Sequence, residues 1–483
     1  MTTLLWLRDD LRTLDHEALT AACEDVRDSG GAVVGLWIRE EAEVDADGGR
    51  LGARPLGAAA RWWNHRSLEA LGPRLEALGV PLVFARGDAA AVVPAVAAGL
   101  GADVVRWSRR YAPRSRALDA RIKSMLVDAG VAAHSHPGAL LAEPWEVTTK
   151  VGGPYGVFTP FHRTLSEVEI APELEVPEPV DPPGPAVRDA LDRLHEEGLL
   201  LRLPALGLLD ERPRWWEETV ALHWEPGERA ALDGLARMAQ GVANYGATRD
   251  VPADADSTTG LSPRLRSGEL SVRTAWHAVR RAAVDGQVSA EDARAWIRQL
   301  HWREFSWHLT FHHPDLHERP LRPQFAVFPY RQDEELAEAW RRGRTGIRLV
   351  DAGMRQLWES GWMHNRVRMV AASLFCKNLL QPWWEGEAWF WDTLVDADEA
   401  NNPVSWQWVA GSGADASPYF RIFNPDTQAA KFDPEGRYVA QWLPEAVQPL
   451  SGYPPAPVVD LTVSRREALD AYEAMKEAVA GRA

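Results

Sequence analysis

The chain has 483 residues, room for two or three domains of ordinary size, and its 46% hydrophobic and 25% charged composition with a mean hydropathy of -0.30 can fill substantial cores. No run of about 18 uncharged apolar residues offers a bilayer span, the start MTTLLWLRDDLRTLD does not follow the order of a signal peptide, and Cys23 and Cys376 alone exclude a disulfide framework or a thiolate metal site. Fifty-three basic against 69 acidic residues give a net charge of -16, which excludes indiscriminate coating of nucleic acid but leaves room for a local arginine cluster on phosphate.

From the N-terminus, short apolar runs alternate with helical patterns. Residues 4–7, 32–38, 81–84, 104–107 and 131–133 read as strands, and stretches such as 58–78 carry apolar residues at three- and four-residue intervals. The alternation predicts an α/β domain, a parallel sheet with helices on both faces, over residues 1–135. No GxGxxG turn follows the first strand, so the dinucleotide fingerprint is missing there. Residues 136–214 read as a connector. Within it the run 170–185, dense in proline and acid, stays extended because it can neither ladder nor continue a helix, and it is the best candidate linker. From 215 to 483 the 3.6-residue period dominates and predicts a larger all-α domain, ending in an amphipathic helix near 464–483.

Residues 289–311 (SAEDARAWIRQLHWREFSWHLTF) open with a serine N-cap and acids in the first turn. Helical spacing puts Trp296, Gln299 or Leu300, and Arg303 on one stripe, with Gln299, Trp302 and Ser306 on the adjoining one. One helix then shows an aromatic, an amide and a guanidinium to the same space; an amphipathic core helix with aromatic filler has the same pattern. Among the histidines that follow, His308 and His312 have metal-like spacing, but no third ligand is arranged with them and Pro314 stops the helix, so no metal is assigned. Residues 361–369 (GWMHNRVRM) offer Asn365, Arg366, Arg368 and Met369; the arginines suit a phosphate and a carboxylate on different sides of one helix, or a solvated basic face. Residues 396–408 (DADEANNPVSWQW) set Asn401 and Asn402 beside Asp396 and Asp398, ahead of Trp406 and Trp408. Buried amides and carboxylates need partners, and a polar cofactor supplies them. TTGLS, residues 258–262, is a turn or a phosphate cradle. Together these segments point to a large anionic aromatic ligand in the helical half. The 23 tryptophans, against 8 Tyr and 12 Phe, leave open stacking surfaces, redox side chains and plain packing.

These motifs carry a resemblance to the photolyase and cryptochrome family, most of all to the bacterial enzymes that repair cyclobutane pyrimidine dimers. It extends over nearly the whole chain. LLWLRDDLRTLDHEAL resembles the family's opening, with Asp9 and His16 as departures, and GPYGVFTPF at 153–161 another family segment. The specific matches are WREF at Trp302, TGIRLVDAGMRQL at Thr345, GWMHNRVRM at Gly361, and ANN, WQW and SPYFRIFNP toward the end. The resemblance implies an N-terminal α/β domain, a connector, and a helical domain holding FAD folded into a U. It implies that Tyr245, Thr258, Thr259, Gly260, Leu261 and Ser262 hold the phosphates, that Trp296, Gln299 and Arg303 line the cofactor, that Arg368 and Asp396 pair beneath it, and that Asp398 and Asn402 meet the ring's polar edge and N5. An amide near N5 hydrogen-bonds a reduced, anionic flavin without an opposing charge.

The implied reaction is light-driven: excited reduced FAD gives an electron to the dimer, the ring opens, and the electron returns. The dimer is flipped out of the duplex to reach the flavin. The resemblance gives Trp302 and Trp408 as the aromatic clamp, Asn365 and Met369 as pocket wall, and Arg249, Arg366, Arg421 and Gln428 as DNA contacts; with five lysines in the chain, phosphate contact falls to arginine. Damaged DNA is then the partner, with no membrane and no obligate protein partner, and the protein reads as a cytoplasmic monomer. Gln299 replaces the glutamate usual in dimer repair, as in enzymes for the (6-4) lesion and in many cryptochromes, whereas Met369 and Trp302 favour the cyclobutane lesion. A cryptochrome-like blue-light photoreceptor, or a photolyase for the (6-4) lesion, is the alternative. Trp406 and Trp383 match the inner two tryptophans of the family's electron-transfer chain; Tyr330 stands at the outer position, with a branch through Trp384, Trp389 or Trp391 as another exit. An antenna, methenyltetrahydrofolate or 8-hydroxy-deazaflavin, is expected near 106–114 (RWSRRYAPR), its identity open.

Overall fold

The computed structural model describes residues 1–27, 29–41, 43–44, 50–51, 54–209, 214–241, 244–254, 258–415, 420–446, 453–454 and 456–481. Five strands form one parallel sheet: β1 (Thr2–Leu7), β2 (Ala32–Glu40), β5 (Leu82–Gly87), β6 (Val104–Ser108) and β7 (Ala132–His136), in the order β5-β2-β1-β6-β7. Two-residue strands β3 (Glu43–Val44) and β4 (Arg50–Leu51) pair antiparallel outside it. All five expected strands are there, and the reason is plain in β1. Leu4 and Trp6 pack on one face with Val93 and Ile122 of the helices Ala89–Leu100 and Pro113–Asp128, while Leu5 and Leu7 pack on the other with Leu19 and Leu71 of the helices Glu17–Arg27 and Ala58–Ala77. A strand covered on both faces needs apolar residues at every position. The order reverses between β1 and β6, which makes the carboxyl ends of those two strands the topological switch point.

The proline-rich run is extended, but it is a strap and not a free linker. Leu174 N–H donates to Asp15 (3.0 Å) and Val180 N–H to the Leu78 carbonyl (3.0 Å), and the helix Pro185–Glu196 returns Ala190 and Leu194 to the core of the sheet domain. Residues 210–213, just ahead of the helix Arg214–Ala221, lie outside the described residues. The longest described helix, Ala290–His312, starts as expected with Ser289 accepting from Asp292 N–H. The terminal helix runs Leu461–Ala480. No described helix is long and apolar enough to cross a membrane.

The two domains are joined by buried polar contacts. Arg12 donates to the carbonyls of Gly268 (3.0 Å) and Gly138 (3.2 Å), Glu228 accepts from Thr13 N–H and Oγ (both 2.9 Å), and Asp15 binds Arg273. Gly268 is required here: at φ +70° a Cβ would stand 2.0 Å from the Asp9 carbonyl. The tryptophan surplus largely resolves into packing. Trp62 and Trp63 of the first domain share a core with Trp216 and Val395 of the second, and Trp6, Trp107, Trp340 and Trp383 are fully buried. His16, a departure in the opening motif, is a structural residue: Nε2 lies 3.2 Å from Asp10, and Nδ1 accepts from Leu19 N–H in the first turn of its helix.

Candidate functional site

Four helices of the second domain, Ser262–Ser267, Ala290–His312, Asn365–Ser373 and Asn401–Ala410, carry most of the expected site residues. At the base lies a two-pronged ion pair: Arg368 Nη1 and Nη2 donate to the Asp396 oxygens at 3.0 and 2.8 Å, and Ser262 Oγ donates to the same carboxylate at 2.6 Å. The Ser262 hydroxyl is therefore engaged by a carboxylate, and it also accepts from Trp362 Nε1 (3.3 Å). Gly260, at φ +59°, makes the turn just before it. Tyr245, Leu261 and Trp296 fall into one buried cluster, an apolar wall with Arg249 5.8 Å from the Tyr245 ring.

The amides flanking the two aspartates are oriented, not free. Asp398 accepts from the Ala400 and Asn401 backbone and from Asn401 Nδ2 (2.6 Å), and burial raises its carboxyl above the usual range. Asn402 Nδ2 donates to the Glu387 carbonyl (3.0 Å) and carboxylate (2.7 Å), and Arg54 holds that carboxylate with two bonds of 2.7 and 2.9 Å. Because both acceptors on Glu387 demand the N–H side of the amide, Asn402 turns its Oδ1 away, and among the described residues that oxygen has no partner. A reduced flavin, protonated at N5, would offer this oxygen a donor. The donor and acceptor set thus fits FAD.

On the adjoining stripe of the long helix, Gln299 Nε2 donates back to the Ala295 carbonyl (3.0 Å), which leaves Oε1 and one N–H for a ligand. Half-buried Trp302 stacks on Phe158, ring centres 3.6 Å apart and planes within 6°. Phe158 is the buried support of the expected clamp. Asn365 and Met369 share one face of their helix (Nδ2 to Sδ 3.8 Å), and Met369 and Trp408 both pack against the main core. Arg303 is placed differently from Trp296: it donates to the Ala139 carbonyl (3.0 Å) and, with Asp398, lines a small cavity between the domains.

Trp406 and Trp383 share that core, Trp406 ringed by Phe390 (5.0 Å), Trp340 and Phe375 (both 6.1 Å). Gly386 permits this, because a Cβ there would lie 2.2 Å from the Trp406 ring. Trp383 meets the partly exposed Trp384 edge-on at 5.9 Å, and Trp384 meets Tyr330 at 5.4 Å. Of the basic set, Arg366 pairs with Asp250 (2.6 Å) and lies over Phe432, Arg421 is exposed with its carbonyl accepting from buried Lys377, and Gln428 sits in the helix Pro425–Phe432. Residues 417–419 of the SPYFRIFNP motif lie outside the described residues.

Two cavities adjoin the 106–114 loop. One, about 560 Å³, is walled by Trp107, Tyr111, Trp145 and Phe311 with Arg116 and Lys123 at its edge; the other, about 100 Å³, lies at the switch point between Arg8, Arg110, Arg303 and Asp398. Sequence reasoning gave no role to Phe158, Glu387 or Arg54. Glu387, an acid inside the aromatic run WWEGEAWFW, was a readable signal, since a carboxylate among so many rings must find partners. Arg54 offered none.

A doubly wound sheet domain locked to a helical domain, whose oriented amide and ion pair suit a flavin beside an aromatic clamp, defines a two-domain flavoprotein. The sequence matches the family model described as DNA photolyase over residues 3–182 and that described as the FAD binding domain of DNA photolyase over residues 296–452. It is 42% identical to a deoxyribodipyrimidine photo-lyase of Agrobacterium fabrum, covering 98% of each chain, and 35% identical to cryptochrome-1 of Arabidopsis thaliana over 92% of this chain and 63% of that one. A crystal structure of a bacterial class III photolyase from Agrobacterium tumefaciens superimposes with a TM-score of 0.89 at 40% identity, covering 99% of this chain and 98% of the other. The chain belongs to the photolyase/cryptochrome family. It is an FAD-binding lyase of DNA repair.

Proposed function

We propose that this protein repairs cyclobutane pyrimidine dimers in DNA under blue light. The observation that carries the reading is that one rigid helix, Ala290–His312, gives Trp296 to the cofactor wall and Gln299 and Trp302 to the adjoining stripe, which sets lesion and flavin side by side. FAD, when bound in its reduced form and excited by light, supplies an electron to the dimer and takes it back. The protein's own residues do the rest. Asn402, fixed by Glu387 and Arg54, presents Oδ1 as an acceptor; Arg368 and Asp396 form a near-neutral pair that adds no opposing charge; Tyr245 and residues 258–262 hold the phosphates. Trp302 and Trp408 stack the flipped bases, a contact worth about 1–3 kcal/mol per base. Gln299 and Asn365 hydrogen-bond the pyrimidine edges, Met369 fills the wall beside them, and Arg249, Arg366, Arg421 and Gln428 meet the flanking strand. Trp406, Trp383 and the Trp384–Tyr330 pair form the route by which the flavin is reduced from outside.

The larger cavity by Tyr111 is the antenna site in this reading. Its volume lies within the usual range for a small-ligand site, and aromatic walls with a cationic edge suit a planar chromophore with an acidic tail, as methenyltetrahydrofolate has. Illuminating reduced protein with dimer-bearing DNA and following return of the thymine absorbance tests the main claim. A second reading, a cryptochrome-like photoreceptor, is favoured by Gln299; no recovery with either the cyclobutane or the (6-4) lesion decides for it.

A further inference from the structure

Two exposed arginines on the long helix have no part in the site described so far. Arg298 stands one turn, about 6 Å, before Trp302, and Arg294 one turn before that, so the three follow a single i, i+4 ridge. Neither arginine makes an ion pair among the described residues. Arg298 is tied to the clamp from below: its guanidinium carbon lies 4.9 Å from the ring centre of Phe158, the ring on which Trp302 stacks. Around it the charge is sparse. His162 and His301, whose Nδ1 atoms lie 2.7 Å apart, are both held neutral by burial, with Arg298 adding to the effect. Asp415 feels the charge of Arg298, and burial raises its carboxyl against the Phe158 amide and that charge.

An exposed, unpaired guanidinium kept at the edge of an aromatic clamp in a chain of net charge -16 is a cation held ready for an external anion. A second one a helical turn away repeats it along a line, which suits a polyanion with regularly spaced charges. We propose that Arg294 and Arg298 form a phosphate-binding ridge for the DNA strand running away from the flipped lesion at Trp302, in addition to the contacts assigned to Arg249, Arg366, Arg421 and Gln428. The proposal rests on the reading of Trp302 as the clamp for flipped bases.

The test is the salt dependence of duplex binding by the flavin-loaded protein, with Arg294→Gln, Arg298→Gln, the double variant and Arg298→Lys, all checked for equal flavin content. Each lost phosphate contact lowers the slope of log affinity against log salt by about 0.9, so the double variant loses about 1.8, on undamaged and dimer-bearing duplex alike, while Arg298→Lys keeps the parent slope. On a probe cut off at the lesion on the side that the ridge serves, the difference between parent and double variant vanishes. An unchanged slope in the double variant, or a loss confined to lesion-bearing DNA, overturns the ridge. Parent protein that repairs dimers while the slopes stay equal sinks the ridge and spares the function; parent protein that repairs no lesion, with slopes that fall as stated, sinks the function and spares the ridge.

Discussion

Asp396→Asn is the most direct probe of the Arg368–Asp396 pair and of its proposed place beneath the cofactor. It keeps the shape of the side chain but turns one of two acceptors facing Arg368 into a donor, so a guanidinium with 23% of its side chain exposed loses its anion while the carboxylate it replaces was 4% exposed. Breaking a buried pair by removing one partner costs about 3–5 kcal/mol, and the partial exposure of Arg368, together with its bond to the Met363 carbonyl, puts the cost near the lower end, about 3 kcal/mol. Ser262 Oγ also loses a charged acceptor, which Ser262→Ala measures alone at roughly 1 kcal/mol, since that hydroxyl is exposed. For a cooperative unit of roughly 270 residues, with an unfolding entropy of about 2.1 cal/mol/K per residue, 3 kcal/mol lowers the melting temperature by about 5 °C. The assay is thermal release of flavin fluorescence, with Arg368→Gln and the double variant completing a coupling cycle. A melting temperature within about 1 °C of the parent, with the two single changes simply additive, refutes the idea that this pair is a strong buried contact.

Acid should destabilise the fold steeply. Burial lowers His301, His308 and His364 to about 4 from an ordinary value of 6.5, and each is about 2% exposed. Between pH 6.5 and 4 the unfolded chain therefore binds more protons than the folded one, so their contribution is intact above pH 6.5 and drains away as pH falls toward 4; three groups at about 3 kcal/mol each are comparable to a whole domain's stability. A denaturation midpoint that stays level from pH 6.5 to 4.5 contradicts this. Arg366→Ala weakens damaged and undamaged DNA alike and takes about 0.9 from the salt slope, whereas Trp302→Ala mainly reduces discrimination, by roughly 10–100-fold; equal effects on both DNAs would undo that division of roles. Trp406→Phe should abolish light-driven flavin reduction, read as the change in flavin absorbance on illumination, and normal reduction in that variant removes the tryptophan route. Gln299→Glu cannot keep the bond to the Ala295 carbonyl, so the new carboxylate swings free toward the lesion and should speed dimer repair; a slower rate argues that the amide is fitted to a different substrate.

The elements most legible in the sequence were those whose burial demands a simple pattern. β1 and β2 are covered on both faces and read as apolar runs, and the long helix announces its start through Ser289 and the acids behind it. The polar centre was legible for the opposite reason: Asp396, Asp398, Asn401 and Asn402 form a group too costly to bury without partners. What stayed hidden depends on contacts distant in the chain. Arg54 reaches Glu387 across 333 positions, and neither residue's neighbours betray the other. The proline-rich strap was read correctly as extended, yet the bonds that lay it on Asp15 and Leu78 come from tertiary contact alone. Tryptophan count left function and packing both open because a ring that fills a domain interface, as Trp63 does with its Nε1 on buried Glu269, looks no different in sequence from one that stacks on a base.

The long helix explains why so much of the site depends on so little chain. A flavin and a lesion can exchange an electron reproducibly only if their separation is fixed, and residues on one helix hold their spacing better than residues on separate loops. Ala290–His312 is itself pinned at three levels. Ser289 caps its start and Asp292 accepts from the Gly246 N–H; His301 meets His162 at its middle; and Glu304, its carboxyl pushed up to about 7 by burial, accepts the Leu141 amide at 2.8 Å. The last two contacts come from His162 and Leu141, which precede the helical half of the chain. Residues 136–214 therefore fix this helix from outside and supply Phe158 beneath Trp302, and in the proposed reading they set where a flipped base lies relative to Asn402.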